Sequence, residues 1–271
     1  MPPPRCAPGA FGAHCEHNIS LFFHEHAVYE GFQPLRSRVH GWGPRSSFYD
    51  AVVRQVRPRL VVEVGVWKGQ SCLHLARAMK AQLGGGALIA VDTWLGALEF
   101  WTRRPSGGRR DATRDLHFKF GWPTVFWHFL SNVVRANLSD FVIPFPAPST
   151  LAHSFLVAKR ITYDVVHVDA AHEYGTAAQD IALWWTLLRP GGLMLGDDYT
   201  GFWPGVVRAA CEFAAAQDVD LYASVGNPAT KWWIFKPSGR PRRHRPTPRN
   251  ATWLRRCQQR APDFARPNFE S

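Results

Sequence analysis

The chain has 271 residues, of which 46% are hydrophobic and 20% are charged, and this length and balance predict one α/β domain with appendages. The formal charge of +11 is confined to residues 103–115, with five Arg against two Asp, and residues 236–271, with ten Lys or Arg against two acidic residues. Because the rest of the chain is balanced, the charge excludes a uniformly basic nucleic-acid-binding domain.

Residues 1–44 are predicted to be an N-terminal extension. Residues 6–16 read Cys-Ala-Pro-Gly-Ala-Phe-Gly-Ala-His-Cys-Glu and resemble the closing segment of an epidermal-growth-factor-like module. This resemblance implies a disulfide between Cys6 and Cys15 and an oxidising compartment. The three Asn-x-Ser/Thr sequons, at Asn18, Asn137 and Asn250, are compatible with that compartment.

The location of the chain stays open between two alternatives. The disulfide and the sequons favour the secretory pathway or the Golgi lumen. The start Met-Pro-Pro-Pro-Arg lacks the apolar core of a signal peptide, and no membrane span is visible. Either an upstream exon is missing from the sequence, or the protein is cytoplasmic. The other cysteines, Cys72, Cys211 and Cys257, fit no metal-ligand spacing and are predicted to be buried or incidental thiols.

A strand, a glycine turn and a helix follow one another at residues 60–83. Residues 60–64 are apolar and β-branched, Gly65 and Gly69 allow a tight turn, and apolar residues then recur at helical spacing from about Gln70. The Gly-x-x-x-Gly spacing is neither a dinucleotide fingerprint nor a phosphate loop. Because Glu63 near the turn would repel a diphosphate and attract an ammonium group, the corner predicts a zwitterionic, amino-acid-like ligand.

The next strand, residues 87–91, ends on Asp92, whose carboxylate can accept both hydroxyls of a ribose. Together these motifs resemble the cofactor half of class I S-adenosylmethionine-dependent methyltransferases, over about residues 45–236. The resemblance implies that the corner holds the methionine part of the cofactor, that Asp92 holds the ribose, and that Ser149 after the third strand touches the adenine. The corner residues are Glu63, Gly65, Gly69 and Ser71. The alternative is a Rossmann-like sheet whose turn binds nothing or another nucleoside.

An insert at residues 101–122 follows the ribose acid. Its arginines are interpreted either as part of a solvated loop or as a surface that attracts an acidic or sulfated substrate. Four tryptophans near strand ends or in loops are candidates for stacking against sugar rings: Trp94, Trp101, Trp122 and Trp203.

Two later strands also end on acidic residues. Residues 163–169 deliver Asp169, and residues 188–198 form a glycine-marked turn and a strand that ends on Asp197 and Asp198. Because ligands bind at the carboxyl ends of parallel strands, we expect these carboxylates to converge. A hard divalent ion, best of all Mg²⁺, would relieve their repulsion. Alternatively, Asp197 and Asp198 cap the following turn.

This arrangement resembles the metal-dependent O-methyltransferases, and most closely the macrolide-sugar and cephalosporin-hydroxylase-like group. The resemblance rests on residues 61–69, on Val-Asp-Thr-Trp-Leu-Gly at residues 91–96, and on Asp-x-x-His-x-Tyr at residues 169–174. It implies that Asp169, Asp197 and Asp198 hold the metal and that His172 is the base, where catechol-type enzymes carry a lysine. His172 as a surface histidine is the alternative, and His167 is interpreted as a core histidine.

The remaining pattern alternates helices and strands. Helices are predicted within residues 117–136 and at residues 149–158, 176–188 and 205–216, and strands near residues 141–144, 221–224 and 232–235. This predicts an α/β fold with a doubly wound, mostly parallel seven-stranded Rossmann-like sheet and an antiparallel edge strand, over residues 45–236. Residues 237–271 form a Pro/Arg-rich tail that is predicted to be disordered.

The predicted function is S-adenosylmethionine-dependent, divalent-metal-assisted methyl transfer to a hydroxyl oxygen of a sugar or glycan. A hydroxylase-like enzyme of different chemistry is one alternative. A non-catalytic cofactor-binding domain, docked by its basic tail, is the other. The expected partner is the hydroxyl acceptor, with no specific nucleic acid. The tail has an anionic polymer or surface as its candidate partner, and an oligomer is compatible with the sequence.

Overall fold

The structure, a computed structural model, describes residues 28–35, 47–102, 112–223 and 231–239. Its strands form a seven-stranded sheet in the order β3-β2-β1-β4-β5-β7-β6, which confirms the predicted Rossmann-like architecture. Within the described residues, no helix combines the length and the apolar character needed to span a bilayer. The Cys6–Cys15 pair, the sequons at Asn18 and Asn250, and the tail beyond Gly239 lie outside the described residues.

Two compact units divide the chain, Met1–Ile161 and Thr162–Ser271. In the first unit, β1 pairs in parallel with β2, and β2 pairs in parallel with β3. β1 and β2 are buried on both faces because apolar residues occupy nearly every position. The elements of this unit are α1 (Ser47–Val56), β1 (Leu60–Val64), α2 (Gln70–Leu83), β2 (Ala87–Asp92), α3 (Leu98–Thr102), a 3₁₀ turn (Ala112–Leu116), α4 (Val125–Arg135), β3 (Val142–Pro146) and α5 (Ser149–Ala158).

In the second unit, β4 pairs in parallel with β5, and β7 runs antiparallel to both β5 and β6. Its elements are β4 (Tyr163–Val168), α6 (Tyr174–Trp185), β5 (Leu188–Gly196), α7 (Pro204–Ala216), β6 (Leu221–Ala223) and β7 (Trp232–Phe235). The predicted helix through Leu188 therefore ends three residues early. Leu188 instead pairs with Tyr163 at the start of β5, and Pro190 disfavours a helical backbone at the residue before it.

The cysteine prediction is correct at one described position and wrong at another. Cys72 is a buried free thiol, as predicted. Cys211, in α7, is disulfide-bonded, and its partner lies outside the described residues. Sequence spacing failed here because a disulfide joins residues that only the tertiary fold brings together.

Candidate active site

The glycine corner of the first unit has the backbone geometry that its sequence predicts. Gly65 and Gly69 have φ values of 84° and 86°, in the left-handed region that glycine favours. A Cβ atom on Gly69 would lie 2.8 Å from two ring carbons of Phe129 in α4. Packing as well as backbone conformation therefore requires glycine at position 69.

Glu63 and Ser71 contact each other at this corner. Glu63 is fully buried near the end of β1, and the Ser71 hydroxyl on the first turn of α2 donates to Glu63 Oε1. This bond ties the strand to the helix across the turn. Direct contact of either side chain with a cofactor stays a prediction.

Asp92, at the end of β2, organises the loop after β1. Its Oδ2 accepts hydrogen bonds from the backbone N–H groups of Val66 and Trp67, each at 2.8 Å, and its Oδ1 accepts one from Trp94 N–H at 2.7 Å. Hydrogen bonds to an ionised carboxylate are among the stronger ones in proteins. The predicted ribose acid therefore also fixes the shape of the glycine corner.

Ser149 and Trp94 were both predicted to contact ligands, and the structure places the first at a half-buried position and the second in the core. Ser149 is the first residue of α5 and is half-buried. It follows β3 by three residues, and the last residue of β3, Pro146, pairs with Asp92. Trp94, predicted to stack on sugars, is only 2% exposed and packs on Phe126 and Phe129. It is a core residue because its ring fills the space beside α4.

The acidic strand ends of the second unit form one cluster. Asp169 directly follows β4, and Asp197 and Asp198 directly follow β5. Ligand-capable atoms lie within 4.8 Å of one another in two overlapping sets: His167, Asp169 and Asp197, and Asp169, His172 and Asp198. Asp169 belongs to both sets. The three predicted carboxylates therefore converge, with two histidines beside them.

Asp197 has cationic partners that the sequence analysis missed. The buried Lys231 ammonium donates to Asp197 Oδ1, and His167 Nε2 lies 3.3 Å from Asp197 Oδ2. Burial alone would raise the pKa of Asp197, but the hydrogen bond from His167 and the charges of His167 and Lys231 outweigh it and lower that pKa to about 2. Lys231 therefore already offsets part of the negative charge of Asp197.

Lys231 could have been found from strand pairing. Gly196, the last residue of β5, pairs with Trp232, the first residue of β7, in antiparallel register. One step beyond this pair, Asp197 and Lys231 lie opposite each other. The sequence signal was a lysine directly before an apolar strand.

His172 and Asp198 form a second pair. His172 Nε2 donates to Asp198 Oδ2 at 2.9 Å, and the His172 ring stacks on Trp203 with centroids 3.8 Å apart. Asp198 has a φ of 63°, which is uncommon for a residue other than glycine. The imidazole is therefore held in one orientation by a carboxylate on its edge and an indole on its face.

Asp169 is the carboxyl group whose ionisation is most strongly opposed. Burial, and then the negative charge of Asp197, raise its pKa to about 8. A cavity of about 10 Å³, lined in part by Asp169, His172 and Asp198, lies at this cluster. That volume is close to the minimum for one water molecule. The donor set fits one divalent cation, because the carboxylates of Asp169 and Asp198 converge at this cavity.

The strand order and the glycine corner define a Rossmann-like domain of the kind that binds nucleotide cofactors. Residues 62–199 match a protein-family model described as a methyltransferase domain. The chain therefore belongs to this family and is a methyltransferase.

Solved structures of methyltransferases resemble this chain at low identity. An O-methyltransferase from Bacillus cereus, in complex with SAH, has a TM-score of 0.52 and 18% identity, over 84% of this chain and 94% of that chain. The O-methyltransferase NovP has a TM-score of 0.52 and 18% identity, over 70% and 78%. TomG from Streptomyces achromogenes, in complex with SAM, has a TM-score of 0.51 and 14% identity, over 73% and 82%. These likenesses show the fold. No curated protein matches the chain.

Proposed function

We propose that this protein transfers the methyl group of S-adenosylmethionine to a hydroxyl oxygen of a sugar or glycan, with the help of a divalent cation. The observation that carries the proposal is the convergence of Asp169, His172 and Asp198 on one small cavity. Membership of the methyltransferase family supports the reaction class. The similar structures that hold SAM or SAH support the choice of cofactor.

The cofactor is assigned to the first unit. The glycine turn at Gly65 and Gly69 is assigned to its methionine part, and the Glu63–Ser71 bond joins the strand and the helix on either side of this turn. Asp92 and Ser149 are assigned to the ribose and the adenine. S-adenosylmethionine supplies an electrophilic methyl group on a sulfonium, and an acceptor oxygen attacks it only when its own proton can leave.

The removal of that proton is assigned to the second unit. Because His172 Nε2–H donates to Asp198, Nδ1 is the ring nitrogen that accepts a proton in the neutral tautomer. Asp198 also stabilises the imidazolium that results, and such general-base catalysis contributes roughly 10²–10⁴-fold. A bound divalent cation, probed as Mg²⁺, lowers the pKa of an oxygen ligand. Asp169 and Asp198 would hold this ion. Asp197, already paired with Lys231, would lie beside it as the third carboxylate of the cluster.

Aspartate-to-asparagine variants at two left-handed positions test this assignment. Asp198 and Asp218 have φ values of 63° and 54°, so that asparagine fits both backbones and the chemical change is the same. With S-adenosylmethionine, Mg²⁺ and a panel of hydroxylated sugars, we expect Asp198→Asn to abolish turnover and Asp218→Asn, at an exposed site, to leave it unchanged. Calorimetry should show the same cofactor affinity for both variants.

Three outcomes would reject parts of the proposal. If the intact protein does not bind S-adenosylmethionine, the reaction class is wrong. If turnover is unaffected by chelation of divalent cations, the metal assignment is wrong although methyl transfer stands. If the cofactor binds but no hydroxylated acceptor is methylated, a different chemistry on the same fold is favoured.

We propose the secretory pathway as the location of the protein, and two observations support this proposal. Cys211 is disulfide-bonded, and disulfides persist mainly in oxidising compartments. The sequon at Asn137 lies on an exposed residue in the turn after α4, where a glycan has access. Digestion of the natural protein with a glycosidase, compared with an Asn137→Gln variant, tests this location.

A further inference from the structure

A short hairpin with an aromatic tip projects from the first unit. Its two arms are joined by reciprocal hydrogen bonds between Lys119 and Trp122, at 2.9 and 3.0 Å. The two central residues, Phe120 and Gly121, have φ values of 51° and 77°, the pattern of a type I′ turn. Hereafter, residues 117–124 are called the aromatic hairpin.

Phenylalanine at the tip is not explained by the turn itself. The first central position of a type I′ turn favours Asn, Asp or Gly, because other residues incur roughly 1–2 kcal/mol in the left-handed region. Phe120 is also 97% exposed, so that packing within the protein gives almost nothing in return. A strained and fully exposed aromatic ring indicates a contact outside the chain.

Further aromatic side chains are exposed around this tip. Trp122 is 59% exposed and Phe118 44%, and beside the hairpin Trp101 is 51% and Trp127 41% exposed. Exposed clusters of large apolar residues are rare on soluble domains unless they bind something.

The base of the aromatic hairpin is fixed to the unit. Thr124 N–H donates to the carbonyl of Leu116, whose side chain is fully buried. Phe118 meets Trp101 edge-on, with ring centroids 5.4 Å apart, and the Trp101 indole N–H donates to the carbonyl of Leu95 at 3.0 Å. The tip is therefore presented on an anchored support.

Positive charge accompanies the aromatic residues. Lys119 Nζ lies 5.4 Å from the centre of the Phe120 ring, and Arg114 is exposed at the start of the segment. In residues 112–128, Asp115 is the one acidic residue. A partner with negative charge therefore complements this face.

We propose that the aromatic hairpin docks the protein on an anionic lipid bilayer. Phe120 enters the boundary between head groups and acyl chains, Trp122 and Trp101 lie at head-group level, and Lys119 extends its ammonium to the lipid phosphates. The exposure of Phe120, at 97%, favours a bilayer over a glycan, because a sugar ring stacks on one face of an aromatic ring, whereas a bilayer closes around the whole ring. This docking is independent of methyl transfer.

Vesicle co-sedimentation of the full chain tests the docking. We expect binding to phosphatidylcholine vesicles that contain about one third phosphatidylserine, and weaker binding to phosphatidylcholine alone. Phe120→Ser should lower the partition coefficient by about tenfold or more, because the ring's apolar surface is no longer buried. Lys119→Glu should lower it by about fivefold or more. Phe120→Trp should restore it.

The matched control is Leu151→Ser, which removes an equally apolar side chain, 58% exposed, from α5 of the same unit. We expect its partition coefficient to equal that of the wild type. The proposal is overturned if the intact protein does not bind anionic vesicles, or if Phe120→Ser binds them as well as the wild type. It is also overturned if the hairpin variants lose binding to soluble heparin or glycans while lipid binding is unchanged.

Discussion

Substitution of Gly69 by alanine is expected to reduce the free energy of unfolding by about 2–4 kcal/mol. About 1 kcal/mol comes from placing a Cβ in the left-handed region, at a φ of 86°. The rest, about 1–3 kcal/mol, comes from overlap with Phe129, whose ring carbons would lie 2.8 Å from the new atom. Because Phe129 is fully buried, its ring cannot turn aside without disturbing α4. Urea-induced unfolding followed by circular dichroism measures the loss.

Gly84→Ala is the matched control for this experiment. Gly84, at the other end of α2, has a φ of 70°, and a Cβ added there meets no atom within 4 Å. Gly84→Ala should therefore reduce the free energy of unfolding only by the backbone contribution, about 1 kcal/mol. Gly69→Ala should also weaken the binding of S-adenosylmethionine in calorimetry, and Gly84→Ala should not. Equal losses of stability in the two variants would refute the clash with Phe129, and equal cofactor affinities would refute the assignment of the corner.

Three further predictions concern carboxylates. Lys231→Met should lower the free energy of unfolding at pH 7 by about 3 kcal/mol, because Asp197 loses its buried ionic partner. Since the pKa of Asp197 is lowered to about 2, the stabilisation is complete above its unfolded value of about 4 and is lost as the pH falls towards 2. The difference in the free energy of unfolding between the variant and the wild type should therefore shrink over that pH range. If urea titrations show a difference that does not change with pH, the Lys231–Asp197 pairing is contradicted. Asp169 must lose a proton to bind a cation, and its pKa is raised to about 8. The affinity for Mg²⁺, measured calorimetrically without cofactor, should therefore rise from pH 6 to about pH 8, and in Asp169→Asn it should be weak and independent of pH. A flat profile for the wild type would exclude Asp169 as a ligand. Asp92→Asn should speed hydrogen exchange at the amides of the loop after β1, because an amide oxygen accepts hydrogen bonds more weakly than a carboxylate, and unchanged exchange would show that the loop does not depend on this charge.

The cluster at Asp169 shows which parts of the site local sequence patterns can predict. The sequence placed Asp169, Asp197 and Asp198 at strand ends, and parallel strands bring such ends to one edge. It did not reveal that Lys231 neutralises Asp197, because that contact depends on the antiparallel register of β7 against β5. It also predicted His167 as a core histidine. The residue is indeed buried, but it lies 3.3 Å from Asp197 and belongs to the cluster.

The order of strands and helices, and the bend at Gly65 and Gly69, were determined by the sequence itself. Hydrophobic period and backbone preference act between near neighbours in the chain, and therefore leave a readable local signal. Only the tertiary structure decided that Trp94 is buried, that Trp203 stacks on His172, and that Phe120 remains exposed. These outcomes depend on contacts between residues far apart in the chain. An aromatic residue is compatible with a core, a binding site or a surface, and only the tertiary packing decides which of these it occupies.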